Sequence, residues 1–146
     1  MAMDEHGADG VFRHRFIVPH DAEDENGHVN NVVYVQWMQD IAIRHATAAG
    51  ATAAARSLGC SWVARSHQIE YRVPAYAGDS IEAVTWIASC HGVRSVRRYR
   101  FVRTSDAKVL AVGETQWVFV SLAGGRPQPI PESVRQCFTP AAGPPA

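Results

Sequence analysis

Apolar and polar residues alternate along this chain with two different periods. From Val11 to Val18, Phe12, His14, Phe16 and Val18 interleave with Arg13, Arg15 and Ile17, the period of a half-buried strand, and Pro19 ends the run. From Asn31 to Ala49 the period lengthens. Val33, Tyr34, Trp37, Met38, Ile41, Ala42 and His45 fall on i, i+3 and i+4 positions, with Gly50 as the stop. A helix over that span would be about 28 Å long at roughly 1.5 Å per residue. Its apolar arc is wide, as expected of a helix largely enclosed by sheet. Ala51 to Arg56 adds a short Ala-rich turn before Gly59.

After Gly59 the short period returns and no second long helix follows. Val63, His67, Ile69, Tyr71 and Val73 alternate with Gln68, Glu70 and Arg72 until Pro74 and Gly78-Asp79 break the run. Strands are then predicted over Ile81 to Cys90, Val93 to Thr104 and Lys108 to Ser121, joined by His91-Gly92 and Ser105-Asp106-Ala107. Pro131 to Phe138 has room for one or two helical turns. Short turns imply antiparallel neighbours, so the order predicts an α+β domain in which a five-stranded antiparallel sheet wraps around one long central helix. The single domain runs over 11–138, with 1–10 and 139–146 as flexible termini.

Composition narrows the function classes. The 146 residues carry 14 basic and 14 acidic groups, so no global charge points to nucleic acid or a membrane surface. Thirteen of the basic residues are Arg, which also suits phosphate contacts. Three cysteines, Cys60, Cys90 and Cys137, show no CxxC spacing and read as reduced thiols in a cytoplasm rather than a disulfide framework or zinc site. No GxSxG elbow, P-loop or GxGxxG stands at a strand-to-helix turn. His20, Asp21, Asp24 and His28 lack the further helix-borne ligands of a metal phosphohydrolase, so no metal is expected.

Chemistry concentrates in Asp21 to Trp37. Acids, amides and a histidine occupy one turn-forming segment that runs without Pro or Gly into the long helix after Gly27. A helix N-terminus presents unpaired N–H groups and a positive dipole end. A carboxylate beside such an end is half of an acyl-transfer site.

The segment Asp24-Glu-Asn26-Gly27-His28-Val-Asn30-Asn31, followed by Tyr34 and Trp37, resembles the Asp-x-Asn-x-His-Val-Asn-Asn stretch of acyl-ACP thioesterases, and Asp24 also matches the Asp-x-x-Gly pattern of small bacterial acyl-CoA thioesterases. Tyr71-Arg-Val-Pro74-Ala-Tyr-Ala-Gly78-Asp79, the Arg94-Ser95 strand start and Ile130-Pro131-Glu-Ser extend the match over about residues 11–138. The chain thus resembles the hotdog-fold thioesterases of the 4-hydroxybenzoyl-CoA thioesterase-like superfamily. That resemblance implies a hotdog fold, a homodimer or homotetramer, and hydrolysis of an acyl thioester without a cofactor, coenzyme A or phosphopantetheine entering as part of the substrate. His28 stands where the bacterial acyl-CoA subgroup usually has an apolar residue, which leaves acyl-CoA and acyl carrier protein both open as partners.

The resemblance assigns roles residue by residue. Asp24 is the general base or nucleophile; Asn26 and His28 orient substrate, water or the acid; backbone N–H groups near Asn31 polarise the thioester oxygen. Because a thiol has a pKa of about 8.5, it departs at neutral pH without a strong general acid, and one carboxylate suffices. Tyr34, Trp37 and Met38 are candidates to line an acyl channel, although each also fits a core stripe, and Arg94 with Ser95 matches the region that meets the CoA nucleotide. Arg97, Arg98, Arg100 and Arg103 read as part of a solvated sheet face. Two rival functions stay open: a hydratase or dehydratase acting on acyl thioesters, and a non-catalytic acyl-thioester-binding module.

Overall fold

The computed structural model describes residues 3–144. Its core is a six-stranded antiparallel sheet with the strand order β1-β2-β4-β5-β6-β3. The strands are β1 (Met3–His6), β2 (Phe12–Ile17), β3 (Cys60–Tyr71), β4 (Ser80–His91), β5 (Arg94–Arg103) and β6 (Lys108–Ser121). Among the described residues three α-helices accompany them, α1 (Asn31–Ala48), α2 (Ala51–Ser57) and the single turn α3 (Glu132–Arg135), with a 3-10 turn over His20–Ala22. The long helix and the β4-β5-β6 meander agree with the sequence reading, whereas β3 does not neighbour β4: it lies at the far edge of the sheet, paired with β6.

The strand count also differs from that reading. Met3–His6 falls in a segment that the sequence reading sets aside as a terminus, because Asp4, Glu5 and His6 show no apolar alternation. Charge supplies the pairing instead. Asp4 lies opposite His14 and Glu5 opposite Arg13, and both pairs make side-chain contacts across the strands. Arg44 of α1 adds a second contact to Asp4 at 3.1 Å. Residues 1–2 and 145–146 lie outside the described residues.

Helix α1 lies on one face of the sheet and fills it. Tyr34, Met38, Ile41 and Ala42 pack with Phe12, Ile81, Tyr99, Phe101 and Leu110 in one buried cluster. A buried Phe or Leu contributes about 1.5–3 kcal/mol, so this cluster is the main apolar source of stability. Met38 is wholly buried because it lies against Gly113 of β6, where a side chain would intrude. On the opposite sheet face, Val11, Val84 and Trp86 form a smaller cluster with Ala141, whose N–H donates to the Ile87 carbonyl. The C-terminal segment therefore closes that face.

Among the described residues both sheet edges, β1 and β3, are unpaired on their outer side, and β3 is the longer. β3 pairs only with β6, runs for 12 residues and is exposed over most of its length. The nearby helix surface shows Val32 at 72% and Ile43 at 59% exposure. Among the described residues no helix is long and apolar enough to cross a membrane.

Candidate active site

The loop before α1 is a closed turn whose backbone fixes the acid. Glu23 and Val29 pair as an isolated antiparallel bridge, Asp24 N–H donates to the His28 carbonyl at 3.0 Å, and Gly27 N–H donates to the Asp24 carbonyl at 3.0 Å. Gly27 sits at φ +79°, the left-handed region that a residue with a Cβ enters only at a cost. The half-buried Asp24 accepts the Asn26 N–H on Oδ1 at 2.9 Å, an Asx turn. Its Oδ2 takes no hydrogen bond from the described residues and is free to accept a proton from water. Asn26, itself exposed, thus serves Asp24 through its backbone rather than its amide.

Helix entry is set by a residue that sequence reasoning passed over. Asn30 is the N-cap, and its side chain accepts the Val32 N–H at 2.9 Å while its carbonyl accepts the Val33 N–H at 2.9 Å. The Asn30 N–H donates to the Ala22 carbonyl, and the Val29 N–H to the Ala75 carbonyl. That accounting leaves the Asn31 N–H, at the first helical position, without an acceptor among the described residues. The Asn31 carbonyl is also held, by the Tyr71 hydroxyl at 2.7 Å. The rim between the Asp24 loop and α1 is therefore a defined backbone, with the Asn31 N–H unspent at the helix entry.

His28 is half-buried and contacts the Val29 carbonyl through Nδ1 at 3.3 Å. A carbonyl only accepts, so Nδ1 carries a proton, and in the corresponding tautomer Nε2 is an acceptor. No hydrogen bond joins the His28 and Asp24 side chains. His20, Asp21, Asp24 and His28 do not gather into a group of three or more His, Cys, Asp or Glu residues around a common point.

The remaining sequence candidates separate. Tyr34 is 3% exposed, with its ring edge-on to Trp37, Tyr71 and Phe101, and burial pushes its hydroxyl up to about 12. Together with Met38 it belongs to the core. Trp37 is partly exposed and lines a groove of about 510 Å³ with Phe16 and Pro19. Arg94 and Ser95 are neighbours in β5 and so face opposite sides: Arg94 is exposed, while Ser95 is buried on the helix side.

The helix side of β5 also holds a charge. Arg97 shares the inward parity of Ser95, Tyr99 and Phe101 and is 3% exposed. It donates through one terminal nitrogen to His45 Nδ1 at 2.9 Å and to the Thr85 hydroxyl at 3.1 Å. Because a guanidinium only donates, Nδ1 accepts and the His45 proton sits on Nε2, which is buried without a partner among the described residues. Burial, with Arg97 beside it, lowers His45 to about 3; burial lowers Arg97 to about 10, so the guanidinium stays charged at neutral pH. Arg97 and Ser95 line a second groove, also about 510 Å³, bounded by α1, α2 and β3.

Comparisons with known proteins bear on the fold and the family. No curated protein matches the chain. Among solved structures, a 1,4-dihydroxy-2-naphthoyl-CoA thioesterase from Synechocystis is similar at TM-score 0.77 and 19% identity, covering 87% of this chain and 94% of that one. An acyl-ACP thioesterase from Bacteroides thetaiotaomicron is similar at TM-score 0.83 and 18% identity, covering 92% of this chain and 55% of that longer one. A Staphylococcus aureus protein solved in complex with CoA is similar at TM-score 0.78 and 16% identity, covering 87% and 80%. These likenesses establish the fold as that of the hotdog thioesterases. The family model described as the thioesterase-like superfamily matches residues 17–138, which includes the Asp24 loop, all of α1 and four of the six strands, and the chain belongs to that superfamily.

Proposed function

We propose that the protein hydrolyses an acyl thioester, acyl-CoA or acyl-ACP, to the free acid and thiol, with Asp24 as general base or nucleophile. The observation that carries this reading is the Asp24 carboxylate, pinned on one oxygen by the Asn26 N–H and free on the other, in a closed turn that leads directly into the α1 N-terminus. In the base mechanism Asp24 Oδ2 takes a proton from water as the water oxygen attacks the carbonyl carbon. The negative charge that develops on the carbonyl oxygen is met by the Asn31 N–H, and the thiolate leaves as the tetrahedral intermediate collapses. In the nucleophilic variant the carboxylate attacks first and displaces the thiolate, and water then hydrolyses the resulting mixed anhydride to the free acid and the Asp24 carboxylate.

The carrier group belongs at the outer surface. Exposed Arg94 suits a phosphate of CoA or phosphopantetheine, whereas the inward Ser95 faces the groove beside Arg97. His28, with Nε2 as acceptor, orients water or substrate beside Asp24. The exposed 12-residue edge of β3 and the apolar Val32 and Ile43 on α1 suit a second copy of the chain, giving a homodimer or a tetramer of such dimers.

Thiol release from a panel of acyl-CoAs and acyl-ACPs tests the reading. A hydrolase releases thiol, a hydratase or dehydratase alters the acyl group without releasing it, and a binding module does neither.

A further inference from the structure

The charged side chains around the α1–α2–β3 groove are of one sign. Arg97 forms part of its floor and Arg56 stands exposed at its rim, while no Asp or Glu lines it. The rest of the wall is largely apolar, including Trp62, Ile87, Trp117 and Phe138. Its size, about 510 Å³, falls within the range of roughly 300–1,000 Å³ typical of small-molecule sites.

Arg97 is incompletely satisfied. A guanidinium has five N–H donors, and the hydrogen bonds to His45 and Thr85 both leave from one terminal nitrogen. No carboxylate lies within ion-pair distance of Arg97 among the described residues, and its acceptor His45 is neutral. The Arg97 Cζ lies over the Phe138 ring, 5.6 Å from its centroid, and Arg97 lines the groove. A buried cation without a counter-charge is costly, and a carboxylate bound bidentate to the guanidinium offsets that cost. Ser95, two residues away on the same face, adds a hydroxyl to the same floor.

We propose that this groove binds an apolar carboxylate, with the Arg97 guanidinium as its anion anchor and the Trp62, Trp117 and Phe138 side chains around its hydrocarbon part. The site is distinct from the Asp24 loop. His45, which touches Arg97, lies 14 residues beyond Asn31, or about 21 Å along the helix at roughly 1.5 Å per residue. A short acyl thioester cannot span both points in one protomer. The carboxylate comes either from a free acid or from the far end of a long acyl chain.

Calorimetric titration with octanoate and octanamide, matched in length and differing in charge, tests the site without turnover. The wild-type chain should bind octanoate at least tenfold more tightly than octanamide. Arg97→Gln should abolish that preference and Arg97→Lys should keep part of it, with circular dichroism confirming that both variants fold. Equal affinities, no binding of either probe, or a preference that survives Arg97→Gln would each overturn the proposal. Titration with hexadecanedioyl-CoA and hexadecanoyl-CoA, below their micellar concentrations, identifies the source: a tenfold preference for the first, lost in Arg97→Gln, assigns the far end of an acyl chain, and equal binding assigns a free acid. Absence of thiol release from every thioester would refute the proposed hydrolysis and leave the octanoate result standing.

Discussion

Acidification should destabilise the fold through His45, in a window fixed by its burial. The folded imidazole titrates at about 3 against an ordinary value of 6.5, because the ring is enclosed by Phe12, Phe138 and His6 and faces the Arg97 guanidinium. Above pH 6.5 both folded and unfolded states hold the ring neutral and nothing is lost. Below it the unfolded chain binds a proton that the folded chain refuses, so stability falls by about 1.4 kcal/mol per pH unit until the folded ring titrates as well. Between pH 7 and pH 5 the loss is about 2 kcal/mol, equivalent to roughly 1 M in urea midpoint at an m-value near 2 kcal/mol/M. Urea unfolding of the wild type and of His45→Gln, at both pH values and one protein concentration, isolates the contribution. His45→Gln keeps an acceptor for Arg97 and cannot titrate, so its midpoint should move less on acidification by that amount. Equal shifts in the two proteins would show that His45 is not the titrating group and would refute the account of the buried pair.

Five substitutions probe the rest of the structure. Asn30→Ala removes the side-chain cap of α1 and should cost about 1 kcal/mol in thermal or urea unfolding, whereas Asn31→Ala should leave stability nearly unchanged. Gly113→Ala places a Cβ 3.0 Å from Met38 Cε and 3.3 Å from the Gln68 carbonyl oxygen and should cost about 1–3 kcal/mol. In a Met38→Ala background the same change should cost less, and a double-mutant cycle showing no coupling would place the strain elsewhere. Arg94→Ala should raise KM for an acyl-CoA several-fold with kcat nearly unchanged, and an unaltered KM would remove Arg94 from carrier binding.

Where burial imposes a period, the sequence was readable. The arc Tyr34, Met38, Ile41, Ala42 gives α1 within one residue of its observed end, and alternation locates β2 to β6 because one face of each meets the core or its neighbours. Met3–His6 has no apolar period, since cross-strand charge holds it, and so it escaped. Periodicity also cannot say which part of a wide arc meets the sheet and which meets a groove. Tyr34 and Met38 went to the core, while Gln39, Ala42, Ile43 and Ala46 line the α1–α2–β3 groove.

The site was legible to a similar depth. Asp24 and the helix entry were visible as a motif. The side-chain cap at Asn30 depends on where the backbone turns, which its residue type alone does not encode. Arg97 carried a signal that the surrounding Arg residues obscured: it shares parity with Tyr99 and Phe101, so the alternation that buries those two buries it too. The opposed directions of Arg94 and Ser95 follow from the same rule.

The central claim is that Asp24 performs thioester hydrolysis at the α1 N-terminus, and kcat/KM of Asp24→Asn tests it most directly. Thiol release should be followed on the best substrate of the acyl-CoA and acyl-ACP panel, with unfolding of the variant measured alongside. The account predicts a loss of about 10²–10⁴-fold, the range of a positioned general base, with stability retained because the amide oxygen still accepts the Asn26 N–H. Turnover within a few-fold of wild type in a folded Asp24→Asn protein would contradict it.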